Sequence, residues 1–494
     1  MPSLPLCARI ACALLGVIAA GAAAAAPPAE PHRAAPWPAP VMAALRVAGL
    51  PASSLGFYAR PVDSAQPLAA FNEEQVFVLA STSKVVTSLA ALDLLGQDFH
   101  WRTHAYARGA LVDGRLAGDL LIVGGGDARL SSEELLHWFA QMRERGLRQI
   151  DGNIVLDRFA FRITDADHLH TPEPGQHRPH HVWPDALPLD EGVLRISLAP
   201  TRGDRAELTL TPALQGLTLN NEVRMRAGGR CAAWASMAEV QGQPRLLVRG
   251  SWSRACGRRQ IQVVPMSHGE FTTRAVAGLW RQAGGLLHGN VVDRPSTSTG
   301  SSGIQRDARG ALEQPWSVHR SDSLPRLVHD INKNSNNLGS RNLWLSLSPG
   351  FPLQAATLAG AQARVLRWLQ AQGLADGDIQ VDSGSGLSRT ERGKPRAMVQ
   401  LLCNAWGARL AEAFVASLPI AGVDGTLAHR MTRGAATGQA FLKTGSLLDA
   451  RALAGYVKAR SGNVYAVAAM VNHPRAVRAT RALDALIEWI VRNG

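Results

Sequence analysis

Lysine is scarce in this chain. Of 52 basic residues only five are lysines, Lys84, Lys333, Lys394, Lys443 and Lys458, and the other 47 are arginines. Arginine does not give up its proton in a protein. A chain that writes arginine wherever a bare cation suffices therefore keeps lysine where the amine itself is needed. Cysteine is scarce too, 5 in 494 residues, and none sits in a motif for thiol nucleophilic chemistry. Beyond residue 26 no apolar run approaches the length of a membrane span. No repeat of fixed period recurs. The net charge of +13 suggests polyanionic surroundings. The basic residues are scattered, however, without the basic-aromatic stripe of a nucleic-acid surface, so nucleic acid is not expected as a partner.

The compartment is written in residues 1–26. Arg9 precedes the apolar run Ile10–Ala20, and small residues through Ala26 lead to Pro27-Pro28. A short charged start, an apolar stretch and an A-x-A site describe a secretory signal peptide. The mature chain is expected to begin near Pro27 and to work in the periplasm, where an acidic wall polymer or an anionic membrane surface suits the charge. Cleavage leaves Cys231, Cys256 and Cys403. In an oxidising compartment Cys231 and Cys256 can pair, closing a loop worth about 3 kcal/mol by chain-entropy reasoning, with three free thiols as the alternative. Cys403, inside Leu401-Leu-Cys-Asn-Ala-Trp406, reads as a buried thiol.

Residues 27–40 form a loose Pro/Ala leader. Short strands over 54–80 lead into a helix in which Val85, Leu89 and Leu92, with Val86 and Ala90, predict one buried stripe. Residues 99–292 read as a β-rich insertion of about 190 residues with a single helix at 131–147. A Ser/Thr/Gly-rich boundary follows at Pro295–Gly303. Helical periodicity then returns with the Leu324, Leu327, Val328, Ile331 stripe and continues over 355–373 and 395–417. Residues 437–458 and 463–472 read as strands, and 477–492 as a closing helix. His168, His170, His177, His180 and His181 crowd a proline-rich stretch. Without regular spacing or carboxylate support they read as a solvated loop rather than a metal site.

Three stretches carry chemistry. Ser81 and Lys84, three apart at a helix start, project from one face, where a desolvated amine can take the serine's proton. Ser-x-x-Lys alone is weak: five lysines give about 0.4 chance occurrences. Asn332-Lys-Asn-Ser335-Asn-Asn337 ends a helix, and Phe441-Leu-Lys443-Thr444-Gly445-Ser446-Leu447 lies in strand-like sequence. Ser-x-x-Lys, Ser-x-Asn and Lys-Thr-Gly in this order form the set used by penicillin-binding proteins and β-lactamases.

Over nearly the whole mature chain the sequence resembles the type-4 class of low-molecular-mass penicillin-binding proteins, the D-alanyl-D-alanine carboxypeptidases/endopeptidases. Gly118–Asp127, Asn332–Leu338, Asp382–Arg389 and Leu418–Leu427 match as well. The resemblance implies an α+β fold: a β-lactamase/DD-peptidase-like core of helices around an antiparallel sheet, from 27–98 and 304–494, with 99–303 inserted as two accessory domains. It implies that Ser81 attacks the carbonyl between two D-alanines, Lys84 takes its proton, and Ser335, oriented by Asn337, relays a proton to the departing amine. Backbone N–H groups of Ser81 and Ser446 would form the oxyanion hole, while Lys443, Thr444 and Gly445 help hold the terminal carboxylate. Arg389 and Asp157 are substrate contacts by position, against a surface arginine and a turn aspartate. Peptidoglycan stem peptides and β-lactams are the expected ligands, with no cofactor and no metal. Leu448 stands where diaminopimelate-selective members can carry a polar residue, and the stretch after Trp183 matches poorly, leaving side-chain specificity open. A β-lactamase lacks support, since no Glu-x-x-Leu-Asn segment places a deacylating water. A catalytically idle wall-binding protein is disfavoured by the intact Ser81, Lys84, Ser335, Asn337 and Lys443 set. Oligomeric state is not written in the sequence.

Overall fold

The computed structural model describes residues 38–164, 167, 183–294 and 313–494. The expected signal peptide, most of the Pro/Ala leader, the histidine cluster and the Pro295–Gly303 boundary lie outside them. At the centre is a five-stranded antiparallel sheet, ordered Ala440–Ser446, Ala450–Lys458, Val464–Asn472, Leu55–Pro61, Ala69–Phe71. Its central strands are apolar on both faces because both faces are covered. Ala452, Ala454 and Tyr456, with Ala466, Ala468 and Met470, point into a helical core. Leu453 and Val457, with Val467, Ala469 and Val471, point the other way, towards residues of helices Ala39–Ala48 and Thr480–Asn493. The run of alanines lets helices approach the sheet closely. This is the expected core of helices around an antiparallel sheet.

The helix Ser83–Leu94 is more enclosed than its stripe predicts. Ser83 to Leu92 are all buried, so its polar side chains need partners inside the protein. Thr87 Oγ1 donates to the Gly384 carbonyl at 2.7 Å, and Ser88 Oγ donates to Asn332 Oδ1 at 3.3 Å. The Leu324, Leu327, Val328, Ile331 stripe is buried in the same core, on helix Leu324–Asn334.

The inserted region is built on a seven-stranded mixed sheet and two three-stranded sheets. One contiguous cluster, including Trp138, Phe139, Phe271 and Trp280, runs through it. The expected single helix is present as Ser132–Glu144, closed by a capping box between Ser131 and Glu134. A second helix, His268–Gln282, corrects the all-strand reading of the remainder. Phe271, Ala275, Val276 and Leu279 bury one helical face of it, and the Ser267 side chain caps it. The strand Ser317–Arg320 pairs with Arg102–Ala105 in the seven-stranded sheet, so that sheet recruits sequence beyond the expected return at 304.

Three further expectations need correction. The span 437–458 is not one strand but two, 440–446 and 450–458, which pair as a hairpin. The turn Leu447-Leu448-Asp449 has no Gly or Pro to announce it. The span 395–417 is two helices, Pro395–Trp406 and Ala411–Ser417, parted after Gly407. Cys403 is partly exposed rather than buried, because its helix turns it towards the edge of the core.

Candidate active site

The Ser81 turn is shaped by close approaches from two other segments. Ser81 lies in a short 3-10 turn, Ala80–Thr82, that runs into the Ser83 helix. Ala80 has φ +47°, an unfavourable region for a residue with a Cβ. Gly386, at φ +83°, lies so close that a Cβ there would sit 1.9 Å from the Ala80 carbonyl oxygen. On the other side a Cβ at Gly445 would fall 2.8 Å from the Leu79 carbonyl oxygen. Glycine at both positions lets the Asp382–Arg389 segment and the Lys443 strand press against the Ser81 turn.

Ser335 ends helix Leu324–Asn334 in the left-handed conformation, φ +55°. Asn336 caps the next helix, Asn337–Ser346, by accepting the Gly339 N–H. That sharp junction turns Ser335 and Asn337 towards two buried lysines. Lys84 Nζ lies 2.7 Å from Asn337 Oδ1, 2.5 Å from the Ser385 carbonyl oxygen and 3.1 Å from Ser81 Oγ. Lys443 Nζ donates to Ser335 Oγ at 3.0 Å and to the Thr444 carbonyl at 2.8 Å. Thr444 Oγ1 donates to Thr426 Oγ1 at 2.8 Å. Each serine thus has its own fully buried amine.

The Lys84 contacts differ in kind. The Asn337 and Ser385 oxygens can only accept, so in a neutral amine they would take its two N–H bonds. In that form its lone pair would be left for the Ser81 hydroxyl, 3.1 Å away. Burial drives the Lys84 proton affinity well below its ordinary value. The Lys443 and Arg341 charges push the same way, and Glu391 opposes them. Burial alone brings Lys443 down to about 7.

The remaining expected residues are placed less centrally. Arg389 is half-exposed and pairs with Asp449 at 2.6 Å, three residues beyond Ser446, which ends the Lys443 strand. Asp157 is buried at the end of strand Ile154–Asp157 in the inserted sheet, where its side chain accepts the Phe159 N–H at 2.8 Å, as a turn aspartate does. Ser446 and Leu448 are exposed at the hairpin. Cys231 and Cys256 are joined as a disulfide in the inserted region. The insertion also touches the centre's supports. Asn342 Nδ2 donates at 2.8 Å to the carbonyls of Gly126 and Asp185, and Asn336 Nδ2 donates to Glu191 Oε1 at 2.8 Å.

The sequence reading missed Ser385, Thr426, Arg341 and Glu391. Ser385 contributes a backbone carbonyl, which leaves no side-chain signature. Arg341 is buried with its guanidinium 5.2 Å from the Trp183 ring centroid. In a sequence it is one arginine among 47.

Comparisons with known proteins give a consistent picture. The model of the D-Ala-D-Ala carboxypeptidase 3 (S13) family matches residues 40–492. The D-alanyl-D-alanine carboxypeptidase DacB of Haemophilus influenzae is 25% identical over 438 residues, 85% of each chain. A D-alanyl-D-alanine carboxypeptidase of an Actinomadura species is 28% identical over 415 residues, 78% of this chain and 71% of that one. Among solved structures, penicillin binding protein 4 of H. influenzae superposes with a TM-score of 0.70 at 22% identity, covering 91% of this chain and 99% of that one.

Proposed function

The chain belongs to the D-Ala-D-Ala carboxypeptidase 3 (S13) family and is a serine-type D-alanyl-D-alanine carboxypeptidase, and on that footing we propose that Ser81 is its nucleophile. The observation that carries this reading is the Lys84 amine, buried and held by two pure acceptors with its third contact on Ser81 Oγ.

Lys443 and Thr444 receive the carboxylate of a terminal D-alanine. An arriving carboxylate favours the ammonium form of Lys443, which burial otherwise disfavours. Ser81 Oγ then bonds to the carbonyl carbon between the two D-alanines while its proton passes to Lys84. The developing oxyanion sits between the backbone N–H groups of Ser81 and Ser446. Collapse breaks the C–N bond, and the proton held by Lys84, relayed through Ser335 with Asn337 orienting the group, reaches the departing amine. Free D-alanine leaves and an ester on Ser81 remains. Water attacks that ester as Lys84 accepts its proton; the bond from the acyl carbon to Ser81 Oγ then breaks, the proton passes from Lys84 to Oγ, and the shortened peptide leaves with a new terminal carboxyl group.

A penicillin enters the same path, because it presents a strained amide beside a carboxylate. When the amine belongs to a second stem peptide, the same steps cut a crosslink, which is the endopeptidase reaction. Arg389, at the hairpin's end, and Asp157 are candidates for contacts further along the stem. Residues 1–26 support export to the periplasm, and no helix among the described residues is long and apolar enough to cross a membrane.

The test is labelling with a fluorescent penicillin. Ser81→Ala is expected to abolish covalent labelling while shifting the thermal midpoint little. Labelling that persists in this variant moves the nucleophile elsewhere.

A further inference from the structure

Behind the Lys84 amine lies a carboxylate that these steps do not use. Glu391 is fully buried. Its Oε1 accepts the backbone N–H groups of Gly384 at 2.7 Å and Ser383 at 2.9 Å, the Ser383 hydroxyl at 3.1 Å, and the Asp382 N–H at 3.4 Å. The Glu391 backbone carbonyl accepts the N–H of Leu79, two residues before Ser81, at 3.0 Å. Its Oε2 and the hydroxyl of Ser83, the residue before Lys84, are both buried and outside full hydrogen-bond geometry with any group. One residue thus meets the Ser81 turn, the start of its helix and the turn leading to Ser385. That second turn is also held where the Gly384 carbonyl accepts from Thr87 and Ser340, at 2.7 and 2.6 Å. The next carbonyl, of Ser385, is one of the two acceptors that orient Lys84 Nζ.

We propose that Glu391 is a positioning residue of the acylation centre: its carboxylate fastens the Asp382–Gly384 turn so that the Ser385 carbonyl aims the Lys84 amine at Ser81, and its negative charge acts on the Lys84 ammonium across that turn. The proposal rests on reading Lys84 as the general base.

The charges facing these groups set the sign. Lys443 and Arg341 disfavour a proton on Lys84, and Glu391 favours one. Glu391 itself is raised by burial first and then by Asp382, while the Ser383 and Gly384 N–H groups and the nearby Ser83 hydroxyl lower it. Removing the negative charge therefore frees the Lys84 amine at lower pH. The acid limb of the acylation profile moves down, a shift that loosening of the fold alone does not produce.

The experiment measures the second-order rate of penicillin acylation from pH 4 to 9 for the full chain, with thermal midpoints in parallel. Glu391→Gln keeps an acceptor for the turn and lacks the charge. It is expected to shift the acid limb down by roughly half a unit or more, with a plateau rate within about threefold of the parent. Glu391→Ala removes the anchor and is expected to lower the plateau by roughly tenfold or more, through misplacement of the amine. If Glu391→Ala fails to fold, Glu391→Gln decides alone. An unmoved acid limb in Glu391→Gln overturns the proposal, whatever its plateau. Lys84→Arg separates the two readings. If it stays active the base assignment falls; if it is inactive while the Glu391→Gln limb is unmoved, only the Glu391 role falls.

Discussion

Replacing Lys84 by methionine removes the amine at nearly constant volume, which matters at a position with no exposed surface. The side chain keeps its packing, and Ser81 keeps its backbone N–H for the oxyanion. On the proposed assignment, what is lost is the acceptor for the Ser81 proton. General-base catalysis contributes roughly 10²–10⁴-fold, and members of one proton-transfer unit fail together rather than additively. A loss near 10⁴-fold in penicillin acylation is therefore expected, about 5.4 kcal/mol of barrier at 1.36 kcal/mol per tenfold. Asn337 Oδ1 and the Ser385 carbonyl each lose the Lys84 hydrogen bond, at a cost of up to about 1–3 kcal/mol each. No longer burying an amine offsets part of that, so the loss of stability should stay below the loss in barrier.

Lys443→Arg supplies the contrast, because holding a carboxylate needs a cation and not a titration. A loss of roughly 10–100-fold is expected, the scale of one hydrogen bond to a charged group at about 1.5–3 kcal/mol. It also carries a pH signature. In the proposed role Lys443 must be protonated to receive the carboxylate, so with a value of about 7 kcat/KM should fall as pH rises through that point. An arginine does not titrate there, so the alkaline fall should disappear. The assay is stopped-flow acylation by a fluorescent penicillin from pH 5 to 9. Near-normal rates in Lys84→Met, or a greater loss in Lys443→Arg than in Lys84→Met, refute the assignment of Lys84 as base.

Asp127 is buried, and burial raises its carboxyl to about 7 from 3.8. A raised carboxyl stabilises the fold when protonated, so its contribution is complete below pH 3.8 and is lost as pH rises through 7. Asp127→Asn should raise the thermal midpoint more at pH 8 than at pH 4.5; an equal effect at both values counts against this account. Replacing Cys231 and Cys256 by serine opens a link between positions 25 residues apart and should cost about 3 kcal/mol in denaturant unfolding. Acylation of Ser81 should be unchanged, and a matching loss of acylation would tie the inserted region to catalysis.

How much of this could be read from residues alone depends on where each signal is stored. The Leu324 to Ile331 stripe announces its helix because a buried face recurs every turn. The Ser81, Ser335 and Lys443 motifs announce themselves because side-chain identity and local spacing carry the signal, and the lysine-poor composition makes Lys84 and Lys443 stand out. The Cys231 and Cys256 partners were nameable because few alternatives survived. The hairpin within 437–458 was hidden, since its turn is written Leu-Leu-Asp inside an apolar run. The His268–Gln282 helix was hidden within sequence that otherwise alternates like strand.

The centre itself was decided by tertiary structure. Sequence spacing puts Ser81 and Lys84 on one helical face, but it cannot say that a carbonyl 301 residues away will complete the amine's shell. Nor can it single out Glu391 from other surface-like glutamates; only burial against the Asp382–Gly384 turn turns it into an anchor. Chemistry that resides in a side chain was legible from its letter. Chemistry that resides in a backbone oxygen, or in a charge made potent by desolvation, exists only once the chain has closed around it.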